Sequence, residues 1–432
     1  MDVDVEQAEP QSEVRTFRPG LDEVPEGEEM EYDPSAYHMY HSLRPEWPCL
    51  SFDFIRDKLG TNRVRYPHIV FAVAGTQAAR GQPNKIQVMK LADLHKTQKL
   101  SADDEEDQES DDEDDNDVEP MLDHIDIAHN GGINRIRSMP QQPGVVASWS
   151  EKGSVYLTDV THQVNALDKG GPRDTVATSL YTFKGHPDEG FAMDWSRVAE
   201  GRLLTGCCGG HIHVHEPQEG GAWATDQQAS LGHTASVEEL QWSPTEHTVF
   251  ASASADGSVA IWDTRRWAKP MLSIDQAHGS QDVNVMSWNT SITYLLASGG
   301  DDGVFRVWDL RSFGKATPEP VAQFSWHKAP ITSIEWDPND ESMLAVAGAD
   351  NQVTVWDLSV EADDGDLVGG PNRDLGGIAE LKLPPQLLFV HQGQHDIKEL
   401  HFHPQVPGVI MTTALDGFNV WKPATVLQGG EK

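Results

Sequence analysis

The stretch HTASVEELQWSPTEHTVFASASADGSVAIWD covers residues 233–263. It opens on His233, passes Trp242-Ser243-Pro244, turns at Asp256-Gly257 and closes on Trp262-Asp263. Val259 and Ile261 alternate with small residues at the period of a half-buried strand. Asp-Gly and Ser-Pro are turn chemistry. The same order returns from His278 through Trp288 and Asp302-Gly303 to Trp308-Asp309. It returns again from His327 through Trp336-Asp337-Pro338 and Asp350-Asn351 to Trp356-Asp357. Each unit supplies about four short strands joined by tight turns.

The three closing tryptophans are 46 and 48 positions apart, close to the roughly 40–45 residues of a WD repeat with slightly long loops. Weaker copies run from His129 to Thr158-Asp159, from His186 to His215-Glu216 and from His395 to Trp421-Lys422. A seventh, without the leading His, is expected in residues 64–94. Leu50 to Ile55 is expected to add a strand to the last repeat and close the circle. The fold class is therefore all-β: a seven-bladed WD-repeat β-propeller, whose closure leaves no long exposed sheet edge.

Outside the repeats, residues 1–32 have the composition of an acidic disordered segment. Asp33-Pro34 reads as an N-cap with proline at the first helical position. Ala36, Tyr37, Tyr40 and Leu43 lie at helical spacing, so a short helix is expected within 33–46. The propeller then spans 47–423. It carries an acidic disordered insert at 101–119, between the first two blades, and an acidic, glycine-rich loop at 359–385. Residues 424–432 form a tail.

The 432 residues carry a formal charge of -37. Residues 1–33 hold 12 Asp/Glu against Arg15 and Arg18, and residues 103–119 hold 13 with no Lys or Arg. Direct nucleic-acid binding, which needs a cationic surface, is not expected; a basic protein partner is the natural complement. Cys49, Cys207 and Cys208 make neither a disulfide framework nor a zinc pattern. The N-terminus lacks the basic and apolar regions of a signal peptide, and no apolar run spans a bilayer. A soluble intracellular monomer with no membrane contact is expected.

His233, Ser252 and Asp256 suggest a hydrolase triad, but the set returns as His278, Ser298 and Asp302, each time with a tryptophan, Trp262 or Trp308. A catalytic site is needed once, so an arrangement that repeats is structural. These four side chains are expected to form a buried hydrogen-bonded tetrad, and no enzymatic activity is expected. The set is incomplete elsewhere: Val346 stands in the serine's place, and the repeat from His186 lacks the turn Asp. His211, His213 and His215 share one strand face. Zinc could use that face, but it also fits an ordinary strand, and no metal or cofactor is expected. No phosphate-binding glycine loop is present. Trp262-Asp263-Thr264-Arg265 and Trp308-Asp309-Leu310-Arg311 match the WDxR pattern of propellers that dock on cullin-four ligases, so a cullin-four adaptor is a candidate partner.

Other stretches carry a closer resemblance: Trp47 to Asp53, Gly75 to Ala78, Gly131 to Arg135, Trp149 to Gly153, Glu189 to Ser196 and Pro384 to Gly393. With the acidic insert, the chain from about Arg18 onward resembles the glutamate-rich WD-repeat proteins, eukaryotic ribosome-assembly factors. That resemblance implies a dedicated chaperone of large-subunit ribosomal protein three, a strongly basic client, in nucleus and nucleolus with a cytoplasmic pool. It also implies a use for Asp103, Asp104, Glu105, Glu106, Asp107, Asp111, Asp112, Glu113, Asp114 and Asp115: they would shield the client's basic extension until rRNA displaces them. This insert is Asp-rich, a departure from the family name. More distantly, the chain resembles the histone-binding WD-repeat proteins. Histones are therefore a second candidate partner, in a groove lined by Tyr37, Tyr40, Leu43, Glu361, Asp363, Asp364, Pro384 and Pro385. A third candidate surface is the propeller's top, where the repeat register places Asn134, Ala192, Glu238, Asn284, Thr332 and Lys398 at the starts of strands.

Overall fold

In the computed structural model, residues 22, 31–97, 119–174, 176–226, 230–266, 269–315, 317–360 and 383–424 are described. They form seven antiparallel sheets of four or five strands. Blades 1 to 6 begin with the innermost strands Cys49–Phe54, Ile133–Ser138, Ala192–Trp195, Val237–Trp242, Val283–Trp288 and Ile331–Trp336. Glu399–Phe402 begins blade 7. The innermost strands line a central channel, and bulky aliphatic and aromatic residues fill the gaps between blades. Between blades 5 and 6, for example, Val285, Phe305, Ile331, Trp336, Leu344 and Trp356 pack together. Burial of such large apolar side chains stabilises by about 1.5–3 kcal/mol each.

Blade 7 takes its outer strand from the other end of the chain. Tyr37–Leu43 pairs antiparallel with Gly417–Pro423, with Tyr40 opposite Trp421 and Leu43 opposite Phe418. This corrects the expected helix at 33–46. Asp33 does cap Ser35 N at 2.9 Å, but only for the single 3-10 turn Pro34–Ala36. The helical spacing of Tyr37, Tyr40 and Leu43 competes with a period-two reading that buries Tyr37, Met39 and Leu43. The period-two reading wins because the last blade lacks an outer strand, and an unpaired edge leaves backbone groups unsatisfied. The propeller thus starts at Tyr37, not at 47.

Two further corrections follow. Cys49–Phe54 does not close the last blade; it is the innermost strand of blade 1 and pairs with His68–Thr76. Blade 1 does not end at 94 either. Its third strand, Asn84–Leu94, pairs with Met121–His129. The acidic insert therefore interrupts blade 1 between its last two strands and does not link two blades. The insert, the segment 361–382 and the tail from 425 lie outside the described residues, with most of 1–30. A helix not foreseen from sequence, Thr161–Lys169, follows the third strand of blade 2 and buries Ala166 and Leu167; the Leu167 carbonyl accepts from Lys90 Nζ at 3.2 Å.

The tetrads are hydrogen-bonded chains. Trp262 Nε1 donates to Ser252 Oγ at 2.7 Å, and Ser252 Oγ lies 2.6 Å from His233 Nε2. His233 Nδ1 lies 3.0 Å from Asp256. The indole N–H can only donate, so Ser252 passes its own proton to Nε2, and Nδ1–H donates to Asp256. Trp308, Ser298, His278 and Asp302 repeat the chain at 2.8, 2.8 and 2.9 Å. The repeat with Val346 is complete as well. Thr354, opposite Val346 on the adjacent strand, brings its hydroxyl to 2.7 Å from Trp356 Nε1 and 3.0 Å from His327 Nε2. In blade 3, His215 replaces the tryptophan and bonds Thr205 at 2.8 Å, which bonds His186 at 2.8 Å. In blade 7 the imidazole's place belongs to Gln394, which accepts from Thr412 Oγ1 at 2.5 Å. His395 is exposed instead.

Ser252→Ala strands a buried indole N–H and a buried imidazole nitrogen. It should cost about 1–3 kcal/mol in denaturant unfolding, with the folded near-ultraviolet circular dichroism preserved at low denaturant.

Candidate protein-binding surfaces

Four of the six top positions expected from the register are bulge residues. Pairing between the first two strands skips Asn134, Glu238, Asn284 and Thr332, each in its own blade. A bulge re-aims its side chain. Asn134 Nδ2 donates to Glu189 Oε2 at 2.9 Å, and Asn284 Nδ2 donates to Asp301 Oδ1 at 2.9 Å. Lys398 Nζ is held by Asp396 at 2.6 Å, and Ala192 is fully buried.

Besides the expected Glu238, four carboxylates missed in the sequence surround these positions: Asp188, Glu189, Asp282 and Asp301. Asp188, Glu189 and Glu238 lie near the Cys208 thiol, whose pKa is raised by burial and then by these charges. Asp282 is raised by burial and by its neighbour Asp301. Asp188 and Asp301 are exposed; Glu189, Glu238 and Asp282 are half-buried. Acidic residues therefore rim blades 3 to 5 on the top. Their signal was available: each lies in the loop before, at, or opposite the start of an innermost strand.

One and three residues beyond the top positions lies the channel network. Arg135 Nη1 and Arg137 Nη2 both donate to Glu399 Oε1, at 2.6 and 2.7 Å, and Arg135 Nη2 reaches Glu239 at 3.3 Å. His401 Nδ1 lies 2.9 Å from Glu335, and its Nε2 lies 3.6 Å from Glu399. Although burial alone would raise the Glu399 carboxyl, the two arginines and His401 hold it well below the usual range. Burial lowers His401, but the two glutamates outweigh it and push the imidazole up to about 10. This is a closed layer of compensated charge across the channel.

On the flank, Tyr37, Tyr40, Phe389, His391 and Trp421 form one aromatic cluster. His391 stacks on Trp421 at 4.4 Å, and Tyr37 meets Phe389 edge-on at 5.1 Å. Asn419 Nδ2 donates to His391 Nε2 at 3.2 Å, so Nδ1–H donates to Tyr37 Oη at 2.8 Å. Burial pushes His391 down to about 3, which keeps the ring neutral. Exposed Tyr32 meets Tyr40 at a 44° tilt, with ring centres 4.5 Å apart. Pro384 and Pro385 lead directly into the strand that carries Phe389. The flank thus unites Tyr40 with the Pro384–Phe389 side, but as strand against strand, without a helix. Tyr37 is core, and Leu43 packs between blades 7 and 1, away from the cluster. Glu361, Asp363 and Asp364, like Asp103 to Asp115, lie outside the described residues.

Arg265 and Arg311 fold back on Asp263 and Asp309 through Nε at 2.9 Å and remain largely exposed; Arg311 also stacks on Tyr294 at 3.8 Å. Among the described residues, no group of three His, Cys, Asp or Glu side chains is placed to hold a metal ion. His215 spends both ring nitrogens on Thr205 and Thr225.

Comparison with known proteins agrees with this anatomy. Residues 225–263, 269–309 and 318–357 match the WD domain, G-beta repeat family. Residues 27–95 match the family of histone-binding protein RBBP4 and its counterpart in the CAF1 complex. The glutamate-rich WD repeat-containing protein 1 of Dictyostelium discoideum is 48% identical over 419 residues, 94% of this chain and 84% of that one. The chain belongs to the glutamate-rich WD-repeat family. Ribosome assembly protein rrb1 of Schizosaccharomyces pombe is 45% identical over 92% of this chain and 82% of its own. Protein HEAT STRESS TOLERANT DWD 1 of Arabidopsis thaliana is 46% identical over 96% and 93%. A probable histone-binding protein of Caenorhabditis elegans, rba-1, is 27% identical over 56% of this chain. In this glutamate-rich family member the histone-binding match spans the closing strand and the first three strands of blade 1.

The raised His401 predicts a pH signature. An imidazole at about 10 when folded, against about 6.5 unfolded, contributes stability that is complete below pH 6.5 and is lost as pH rises towards 10. The stability advantage of the parent over His401→Gln in urea unfolding should therefore be larger at pH 6 than at pH 9.5. An advantage that does not shrink between those values would contradict the assigned charge.

Proposed function

We propose that this protein is a ribosome-assembly factor that binds and shields a basic large-subunit ribosomal protein, ribosomal protein three, for delivery to the assembling large subunit. It acts in the nucleus and nucleolus with a cytoplasmic pool, as a binding scaffold and not as an enzyme. The observation that carries this reading is the 45% identity to a ribosome assembly protein across 92% of the chain. The rim of Asp188, Glu189, Glu238, Asp282 and Asp301 supports a cationic client on the top face. The 13 carboxylates of 103–119 supply a second, diffuse attraction that needs no fixed shape. Opposed charge steers encounter and suppresses wrong partners more than it adds affinity, which suits a client that must later be handed to rRNA.

A second reading is favoured by the family match over residues 27–95: histone binding at the Tyr32–Tyr40–Phe389 flank. It uses a different surface, so one protein could serve both partners.

Deletion of 103–119 should weaken binding to purified ribosomal protein three about tenfold at 20 mM salt. Little effect should remain well above 0.1 M, where exposed charges are screened. Glu238→Lys with Asp301→Lys should weaken binding at both salts, because that rim lies against the client. Unchanged binding in both variants at low salt would reject the charge-shielding reading.

A further inference from the structure

The opposite mouth of the channel differs in charge from the rest of this acidic chain. It is formed by the loops that follow the innermost strands, and one position there is equivalent in all seven blades. In blade 4 this is Pro244, two residues after Trp242. The residue between them marks the register: Ser243 N donates to Val249 O at 2.8 Å, as Ser196 N does to Arg202 O at 2.8 Å and Ile55 N to Phe71 O at 2.9 Å. Four blades place a proline at this position and blade 5 places Thr290. Blades 1 and 3 place Arg56 and Arg197 there. All seven side chains line one cavity of about 170 Å³. The Arg135–Arg137–Glu399 ion-pair layer closes it from above.

Arg56 and Arg197 are both exposed, and neither makes a hydrogen bond or ion pair with another described residue. They are close enough to oppose one another: the pKa of Arg56 is lowered by burial first and by the charge of Arg197 second. The nearest carboxylates, Asp53 beside Arg56 and Asp194 beside Arg197, each hold a backbone N–H of the next strand as well. Asp53 accepts from Ser138 N at 2.8 Å, and Asp194 accepts from Trp242 N at 2.7 Å. Burial pushes Asp194 up to about 7, so the wall is less anionic near neutral pH than its composition implies. Lys58 and Arg65 stand exposed on the same blade 1 loop as Arg56. In a chain with 69 Asp/Glu and 32 Lys/Arg, two guanidiniums line this mouth with no carboxylate bonded to either, and Asp53 and Asp194 meet Arg56 and Arg197 only through space.

We propose that this mouth is a binding site for a phosphate dianion, bridged between Arg56 and Arg197. Guanidinium groups match phosphate oxygens bidentately. A phosphate carries about -1.5 to -2 near neutral pH, which balances the pair, whereas a single carboxylate would leave one charge over. The cavity has room for a phosphate group and several waters. The proline rim holds its shape before the ligand arrives. The phosphate can come from a free inorganic species or from a phosphorylated side chain of a protein partner.

Titration calorimetry on the full-length protein at 0.15 M salt tests this with two probes: inorganic tripolyphosphate, and a phosphoserine pentapeptide with its unphosphorylated form as control. Arg56→Gln with Arg197→Gln should weaken phosphate binding at least tenfold, and Arg197→Gln alone should weaken it in part. Arg80→Gln, which matches the single variant's charge change but on the opposite face, should leave it unchanged, and all variants should keep the parent's melting temperature. Tighter binding of tripolyphosphate assigns the site to free phosphate; tighter binding of the phosphopeptide assigns it to a modified partner. A parent that binds neither probe, or a double variant that binds as the parent does, overturns the proposal.

Discussion

Each innermost strand has a partner on one side only; its other edge faces the channel with buried N–H groups that need acceptors. At six of the seven junctions the ring meets this need by passing an acceptor side chain from one blade to the next, while between blades 2 and 3 Arg135 Nε donates to Phe191 O at 2.6 Å. Asp194 accepts from Trp242 N, Gln241 from Trp288 N at 2.6 Å, Ser287 from Trp336 N at 3.1 Å and Glu335 from Phe402 N at 3.1 Å. Glu399 accepts from Phe52 N at 2.8 Å and so joins the last blade to the first, and Asp53 accepts from Ser138 N. Each blade is tied to its predecessor by one such bond or, in blade 3, by the Arg135 bond, so closure by the Tyr37–Leu43 strand bears on all of them.

Closure of this kind separates stability from recognition. The inter-blade bonds and the tetrads use residues that face the channel or lie inside the blades. The loops at either end are then free to differ: carboxylates rim blades 3 to 5 on the top, and Arg56 and Arg197 stand at the opposite mouth. Glu399 belongs to the first set and not the second. It satisfies a backbone N–H and two guanidiniums at once, so its charge is consumed by the fold and is not offered to a partner.

The sequence showed the blades because a tetrad repeats type, order and spacing together. His233, Ser252, Asp256 and Trp262 were legible without structure. Thr354 was not, because its hydroxyl arrives from the strand beside the expected serine position, and only pairing reveals that. The outer strand at 37–43 was misread because two periodicities coexist in seven residues, and distant Gly417–Pro423 decides between them. The top positions followed from register. The carboxylates beside them were passed over although their positions followed from the same register, because Asp188, Asp282 and Asp301 sit in turns whose composition varies from blade to blade. Arg56 and Arg197 are visible in the sequence only once seven loops are superposed on Trp242-Ser243-Pro244.

The central claim is that this propeller holds a basic ribosomal protein. The most direct measurement is purification of the tagged full-length protein from its own cells at near-physiological salt, with mass spectrometry of the stoichiometric partners. The account predicts one dominant basic protein of the large ribosomal subunit, ribosomal protein three. Histones as the dominant partner, with no ribosomal protein near stoichiometry, would contradict it and shift the functional surface to the Tyr40–Phe389 flank.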